Sequence, residues 1–168
     1  MWEGKNVTVF VTGGIAAFKA ATLVRLFVKA GANVEVAMTK SACEFITPLT
    51  FQVLTKNKVH TDTFDEVEAS KVQHIHLADK TDVAVVVPAT ANTIAKMANG
   101  IADTFVTSTL LATTAPIYVA PAMNEHMWEN PATVRNVAQL KADGKIIIEP
   151  ATGFLAEGYN GKGRLPEP

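Results

Sequence analysis

The sequence predicts an α/β fold: a parallel sheet with helices packed on both faces. Three observations carry this. Short runs rich in β-branched residues alternate with segments of helical period. Within those runs successive positions are apolar, so each strand is buried on both faces, as parallel sheets require. Gly and Pro separate the runs, and no internal repeat or low-complexity linker appears before Pro150.

Each element can be justified in order. NVTVFV (Asn6–Val11) is the first strand and stops at Thr12-Gly13-Gly14. Residues 15–29 then take a helical pattern, with Ala16, Leu23, Leu26 and Phe27 expected toward the core and Lys19, Arg25 and Lys29 elsewhere. Gly31 ends that helix, because glycine tolerates positive φ. NVEVAM (Asn33–Met38) is the second strand, and Thr39-Lys40-Ser41 open a shorter helix expected to end near Pro48. Residues 84–87, inside TDVAVVVP, form a third strand. Helices follow over 91–98 and 103–112, a fourth strand over 117–120, a helix over Pro131–Ala142 and a fifth strand over 145–148.

Length and charge bound the function. A chain of 168 residues is read as one domain, 1–168, able to bury a real core. A formal charge of -1, with both signs interspersed, gives no electrostatic case for nucleic acid or a membrane surface. The hydrophobic content of 48% is high, yet no apolar run reaches the roughly 18–20 residues a bilayer span needs. The N-terminus lacks a basic region followed by a short apolar core, so a cytoplasmic location is expected. Cys43 is the sole cysteine and cannot form an internal disulfide or a metal cluster, so no metal is expected.

Open parallel sheets bind ligands beyond the carboxyl ends of their strands. Four polar or glycine-rich stretches fall at such ends: TGGI (12–15), TKS (39–41), PATANT (88–93) and PAMN (121–124). Gly13 and Gly14 let a ligand approach the backbone, the following helix start favours an anion, and Thr39 and Ser41 add hydroxyls. Alone, either stretch reads as a tight turn or a helix cap; four together point to a phosphate site. Met38-Thr39, not an acidic residue, ends the second strand, which favours a mononucleotide over a dinucleotide. Asn92 and Thr93 stand at a helix start, where capping and contact with a flat heterocycle are compatible. In VAPAMNEHMW, soft apolar side chains, an amide and an indole crowd past a strand end. That is a ligand loop, or a helix capped by Asn124 with Trp128 in the core.

The chain resembles a known family at GGIAAFK (13–19), HIHLA (74–78), PATANT (88–93), NGIADT (99–104) and PAMNEHMW (121–128). It is similar to the flavin-dependent cysteine decarboxylases, from about Lys5 to the last residue. The resemblance implies a flavodoxin-like three-layer sandwich with a sheet of about five or six strands. It also implies FMN bound between subunits of a homotrimer, often assembled further into dodecamers. The phosphate would lie near Gly13, Gly14, Ile15, Thr39 and Ser41, and the ring near Ala91, Asn92, Thr93 and Ala122. His74 would be the active-site histidine, and Asn124 would bind the substrate carboxylate with Met127 alongside. The implied reaction is decarboxylation of 4'-phosphopantothenoylcysteine to 4'-phosphopantetheine in coenzyme A synthesis. Oxidation of the thiol-bearing carbon precedes loss of CO2 in this chemistry, because an ordinary cysteine carboxylate has no electron sink.

The last stretch, GFLAEGYNGKGRLPEP (153–168), resembles the family's flexible substrate clamp, expected over about 151–168. Lys162 and Arg164 there are candidate contacts to an anionic substrate. The family's clamp cysteine falls in an Ala-Cys-Gly context, whereas this chain has Ala156-Glu157-Gly158. Three readings stay open: Glu157 donates the proton; the reaction stops at the enethiol, as in relatives acting on peptide C-terminal cysteines; or water or another group serves. A non-catalytic FMN-binding regulatory subunit is a further alternative. The resemblance leaves two organisations open: a synthetase domain fused beyond this one, or a stand-alone decarboxylase.

Overall fold

The computed structural model describes residues 1–64 and 70–168. In chain order the elements are β1 (Asn6–Val11), α1 (Ala17–Lys29), β2 (Asn33–Met38), α2 (Ala42–Phe45), α3 (Pro48–Thr55) and α4 (Gln73–Lys80). Then come β3 (Val83–Ala89), α5 (Ala91–Asn99), α6 (Phe105–Ala112), β4 (Ile117–Pro121), α7 (Glu125–Glu129), α8 (Pro131–Ala142) and β5 (Ile146–Ile147). The chain closes with β6 (Ala151–Phe154) and β7 (Asn160–Arg164).

Alternation along β1 builds the three layers. Val7, Val9 and Val11 point to one face, where Val24 of α1 and Phe51 of α3 pack on them. Phe10 points to the other, against a layer that includes Leu77 of α4, Ile94 of α5, Phe105 of α6 and Leu140 of α8. The five parallel strands run in the order β2-β1-β3-β4-β5, the flavodoxin-like doubly wound arrangement. The α1 connection covers one face of the sheet, while α5 and α6 lie on the opposite face. The carboxyl ends of the adjacent strands β1 and β3 therefore flank a crevice. There the buried Thr12 hydroxyl donates to Pro88 O at 2.5 Å and accepts from Thr90 N at 3.0 Å, tying the two ends together.

Several elements differ from the sequence expectation. The helix expected to end near Pro48 is α2, which stops at Phe45, and a further helix that was not expected, α3, starts at Pro48, whose missing N–H suits the first turn. The buried stripe of α1 is Ala17, Ala20, Val24 and also Lys19, while Leu26 is exposed. Helix α4 is mostly polar and was not expected. The segment expected to be a flexible clamp contains a two-stranded antiparallel hairpin, β6 with β7.

The free edge of β2 is covered by the segment at His60, whose backbone N–H donates to Val36 O at 3.0 Å and whose carbonyl accepts from Met38 N at 2.9 Å. The His60 ring stacks on Phe105 with centroids 5.0 Å apart, and its Nε2 lies 3.1 Å from Glu35 Oε1. Lys80 pairs with the other Glu35 oxygen. Partial burial pushes the Glu35 carboxyl pKa up, but hydrogen bonds and charge from His60 and Lys80 outweigh it and hold the group below its ordinary value. A depressed carboxyl stabilises the fold fully above its unfolded pKa, and that contribution is lost as pH falls through the folded value. Glu35→Gln is therefore expected to lower stability at neutral pH, with the gap to the parent closing on acidification below the carboxylate range. Urea unfolding across a pH series measures both.

Candidate functional site

A two-lobed cleft opens at the carboxyl rim of the sheet, between β1 and β3. The smaller lobe, about 240 Å³, is rich in hydroxyls: Thr39, Ser41, Thr90, Thr93 and Thr107 line it, with Gly13 and Asn92. The larger, about 590 Å³, has mostly apolar walls that include Ile15, Phe18, Ala91, Ala122 and Met123. Gly13, Thr90 and Asn92 belong to both. The larger volume falls in the range typical of small-molecule sites.

The two glycines of the β1–α1 turn do different work. A Cβ at Gly13 would lie 2.5 Å from Ser41 Cβ, so only glycine lets the 39–41 loop close on the turn. A Cβ at Gly14 would meet nothing within 4 Å, because that position opens on the cleft. Helix α1 follows directly, and its N-terminal amides favour an anion at this end. The Thr39 hydroxyl accepts from Ala42 N at 3.1 Å, and Thr90 caps α5 by accepting from Thr93 N at 3.1 Å. Capping and cleft lining thus coincide in the same side chains. Asn92 is exposed at the junction of the lobes.

Asn124 shows the same double use. Its Oδ1 accepts from His126 N at 2.8 Å and caps α7, which fixes the amide's orientation. Its Nδ2 donates to Glu157 Oε1 at 3.0 Å and to the Tyr159 hydroxyl at 2.6 Å. Met127, Glu157 and Arg164 also line the large lobe. The β6–β7 hairpin is seated on the PAMN loop: Met123 N donates to Gly163 O at 3.0 Å and Lys162 N to Glu125 Oε1 at 3.2 Å. Gly163 has φ of 140°, and a Cβ there would collide with the Met123 carbonyl, so this seat requires glycine.

Two predicted residues lie elsewhere. The Lys162 ammonium is directed to Glu149 at 3.5 Å and lies 5.9 Å above the Trp128 ring, outside both lobes. His74, in the first turn of α4, lines neither lobe. Its ring stands edge-on to Phe105 at 6.4 Å, and its buried Nδ1 has no hydrogen-bond partner among the described residues.

Three site residues escaped the sequence reading. Tyr159 was hidden in a glycine-rich stretch. Phe154, 65% exposed, adds an apolar wall. Lys19, with a side chain only 7% exposed, donates to Leu165 O at 2.7 Å and pairs with Glu167 at 3.0 Å, anchoring the base of the clamp. The neighbouring ammonium holds the Glu167 carboxyl below its ordinary pKa, with a smaller contribution from Arg164. A lysine amid alanines on a helix otherwise set into the core was the available signal.

Fold and cleft together define a doubly wound α/β protein with a hydroxyl-rich and an apolar lobe at its carboxyl rim. The chain belongs to the flavoprotein family, whose model matches residues 1–168. It is 55% identical over 168 residues to the coenzyme A biosynthesis bifunctional protein CoaBC of Bacillus subtilis (strain 168), covering 100% of this chain and 41% of that protein. The chain thus spans about two-fifths of the length of the curated relatives it matches. Among solved structures, the FMN-dependent cysteine decarboxylase SpaF superposes with a TM-score of 0.87 at 33% identity, over 96% of this chain and 92% of that one. A PPC decarboxylase C175S mutant complexed with pantothenoylaminoethenethiol gives 0.86 at 32%, over 98% and 92%.

Replacing Lys19 by Met is expected to leave the buried Leu165 carbonyl without its donor, at a cost of about 1–3 kcal/mol. Faster limited proteolysis of residues 151–168, with the rest of the chain intact, is the readout.

Proposed function

We propose that this chain is an FMN-dependent decarboxylase that converts 4'-phosphopantothenoylcysteine to 4'-phosphopantetheine and CO2. The observation that carries this reading is the Asn124 amide: fixed through its oxygen, it presents Nδ2 at the mouth of an apolar lobe and already holds a carboxylate there. The likeness to the B. subtilis protein, stronger at 55% than the 33% to SpaF, favours a coenzyme A precursor over a peptide.

The residues fit the cofactor. The backbone at Gly13 and Gly14, the start of α1 and the hydroxyls of Thr39 and Ser41 would hold the phosphate, while Ile15, Ala91 and Ala122 would wall the ring, with Asn92 and Thr93 beside it. Bound FMN would supply the two-electron oxidation of the thiol-bearing carbon that turns the adjacent carboxylate into a leaving group, and would give the two electrons back after CO2 has left, so that the overall conversion is redox-neutral. Asn124 orients that carboxylate, with Met127 and Arg164 alongside. His74 takes the thiol proton. Since it lines neither lobe of its own chain, it reaches the reaction from a neighbouring copy in a homotrimer, as a trimer or a dodecamer built from trimers. Exposed apolar side chains support such contacts: Phe45, Leu49 and Val53 near α2 and α3, and Val72 and Ile75 beside His74. Glu157 returns a proton to the carbon that lost CO2. A synthetase domain fused beyond this one, as in the bifunctional relatives, and a cytoplasmic location complete the reading.

A second reading has its own observation: Glu157 stands at the clamp cysteine's position, so the reaction stops at the enethiol. Mass spectrometry of products from phosphopantothenoylcysteine separates the two. Phosphopantetheine with catalytic turnover is expected, and stoichiometric enethiol with bleached flavin supports the second reading instead. His74→Asn should lower turnover at least about a hundredfold. Unchanged turnover would remove His74 from the mechanism.

A further inference from the structure

The β6–β7 hairpin meets the cleft through a carboxylate. Three contacts seat its body on the sheet domain: Gly163 O on Met123 N, Lys162 N on Glu125, and Lys19 on Leu165 O. A fourth joins its tip to the site itself, where Glu157 Oε1 accepts from Asn124 Nδ2 at 3.0 Å. Each of the first three uses a backbone N–H or C=O of the hairpin or of the segment just after it. The Glu157 contact uses the one side-chain amide that the decarboxylation needs free.

We infer that Glu157 is a built-in stand-in for the substrate's carboxylate. It occupies Asn124 while the site is empty, is displaced one-for-one when a carboxylate-bearing ligand enters, and returns once that group has left as CO2. The exchange is nearly neutral on entry, because one carboxylate replaces another on the same donor. It is one-sided on exit. The decarboxylated product has nothing to offer Asn124, so Glu157 retakes the amide and the product is left without that anchor.

Geometry supports the exchange. The Asn124 amide cannot turn away to serve both carboxylates, because its oxygen is committed to His126 N at 2.8 Å. Its second Nδ2 hydrogen is committed to the Tyr159 hydroxyl at 2.6 Å. Glu157 and Tyr159 lie in the connection between β6 and β7, flanking Gly158, which has φ of 94° and open space around its Cβ position. That connection lets Glu157 swing without unseating the strands. Displaced from Asn124, Glu157 stays at the wall of the cleft, where it takes up a proton from solvent before making the proton return assigned to it under the proposed function.

This inference rests on Asn124 as the carboxylate-binding residue, and the test separates the two. Isothermal titration calorimetry on the FMN-loaded chain compares two ligands: the S-methyl thioether of phosphopantothenoylcysteine, which keeps the carboxylate but has no thiol to oxidise, and phosphopantetheine, which has lost it. Glu157→Ala removes the competitor, so the thioether should bind about five- to tenfold tighter, the size of one net hydrogen bond. Phosphopantetheine affinity should be unchanged. Glu157→Gln, which keeps the size but loses the charge, should fall between parent and Glu157→Ala for the thioether. Unchanged or weaker thioether binding in Glu157→Ala, or equal tightening for both ligands, overturns the inference and leaves the proposed function standing. An Asn124→Ala variant that binds the thioether as tightly as the parent removes Asn124 from carboxylate binding, and both readings fall with it.

Discussion

The hydroxyl of Thr12 ties together the two strand ends between which everything functional is built. It donates to the carbonyl of Pro88 and accepts from the amide of Thr90, joining the end of β1 to the end of β3. Both backbone groups lie where the sheet's hydrogen-bond ladder has stopped, and a buried polar group left unpaired there would cost about 1–3 kcal/mol. With the two ends fixed, the helices that follow start at set positions: α1 after the glycine turn and α5 after its Thr90 cap. The hydroxyl-rich lobe and the apolar lobe are the space between those starts.

The same economy runs through the site. Thr39, Thr90 and Asn124 each satisfy a helix start with one atom and face the cleft as well. A side chain whose rotamer is fixed by a cap costs little further entropy when it takes up a ligand, which is how such a small domain presents an ordered site without a deep cavity. The β6–β7 hairpin completes the wall of the cleft. Its strands are pinned by backbone hydrogen bonds and by Lys19, and its connection carries the carboxylate and phenol that meet Asn124.

How much of this was readable in advance follows from the physics of each element. β1 and β3 are largely apolar and were visible as strands; α1 and α5 have helical period, α6 is an apolar run opened by a Thr104 cap, and α8 starts at Pro131. Helix α4 was invisible because QHIHLADK is mostly polar and buries only Leu77 and Ala78. Pro48 marked the stop of α2 but also starts α3, because its missing N–H suits a first turn. The β6–β7 hairpin lacks β-branched runs, since NGKGR pairs through its backbone and its seat on Met123 rather than through propensity. Gly13, Thr39, Ser41, Asn92 and Asn124 were found because glycine, hydroxyl and amide side chains at strand ends carry a local signal. Lys19, Tyr159 and the Glu35–His60–Lys80 cluster were not, because their partners are distant in sequence. The orientation of Lys162 toward Trp128 and Glu149 was likewise a matter of tertiary packing.

Glycine at the turn, hydroxyls at one end and apolar walls at the other make a single claim about what the crevice is for: it receives a flat ring by its phosphorylated tail. Titrating the flavin-free protein into FMN, and following flavin fluorescence against a riboflavin control, tests that claim most directly. The account predicts saturable quenching at about one FMN per chain and much weaker binding of riboflavin, which lacks the phosphate. A colourless protein that leaves FMN fluorescence untouched at high concentration, or that binds riboflavin equally well, would contradict it.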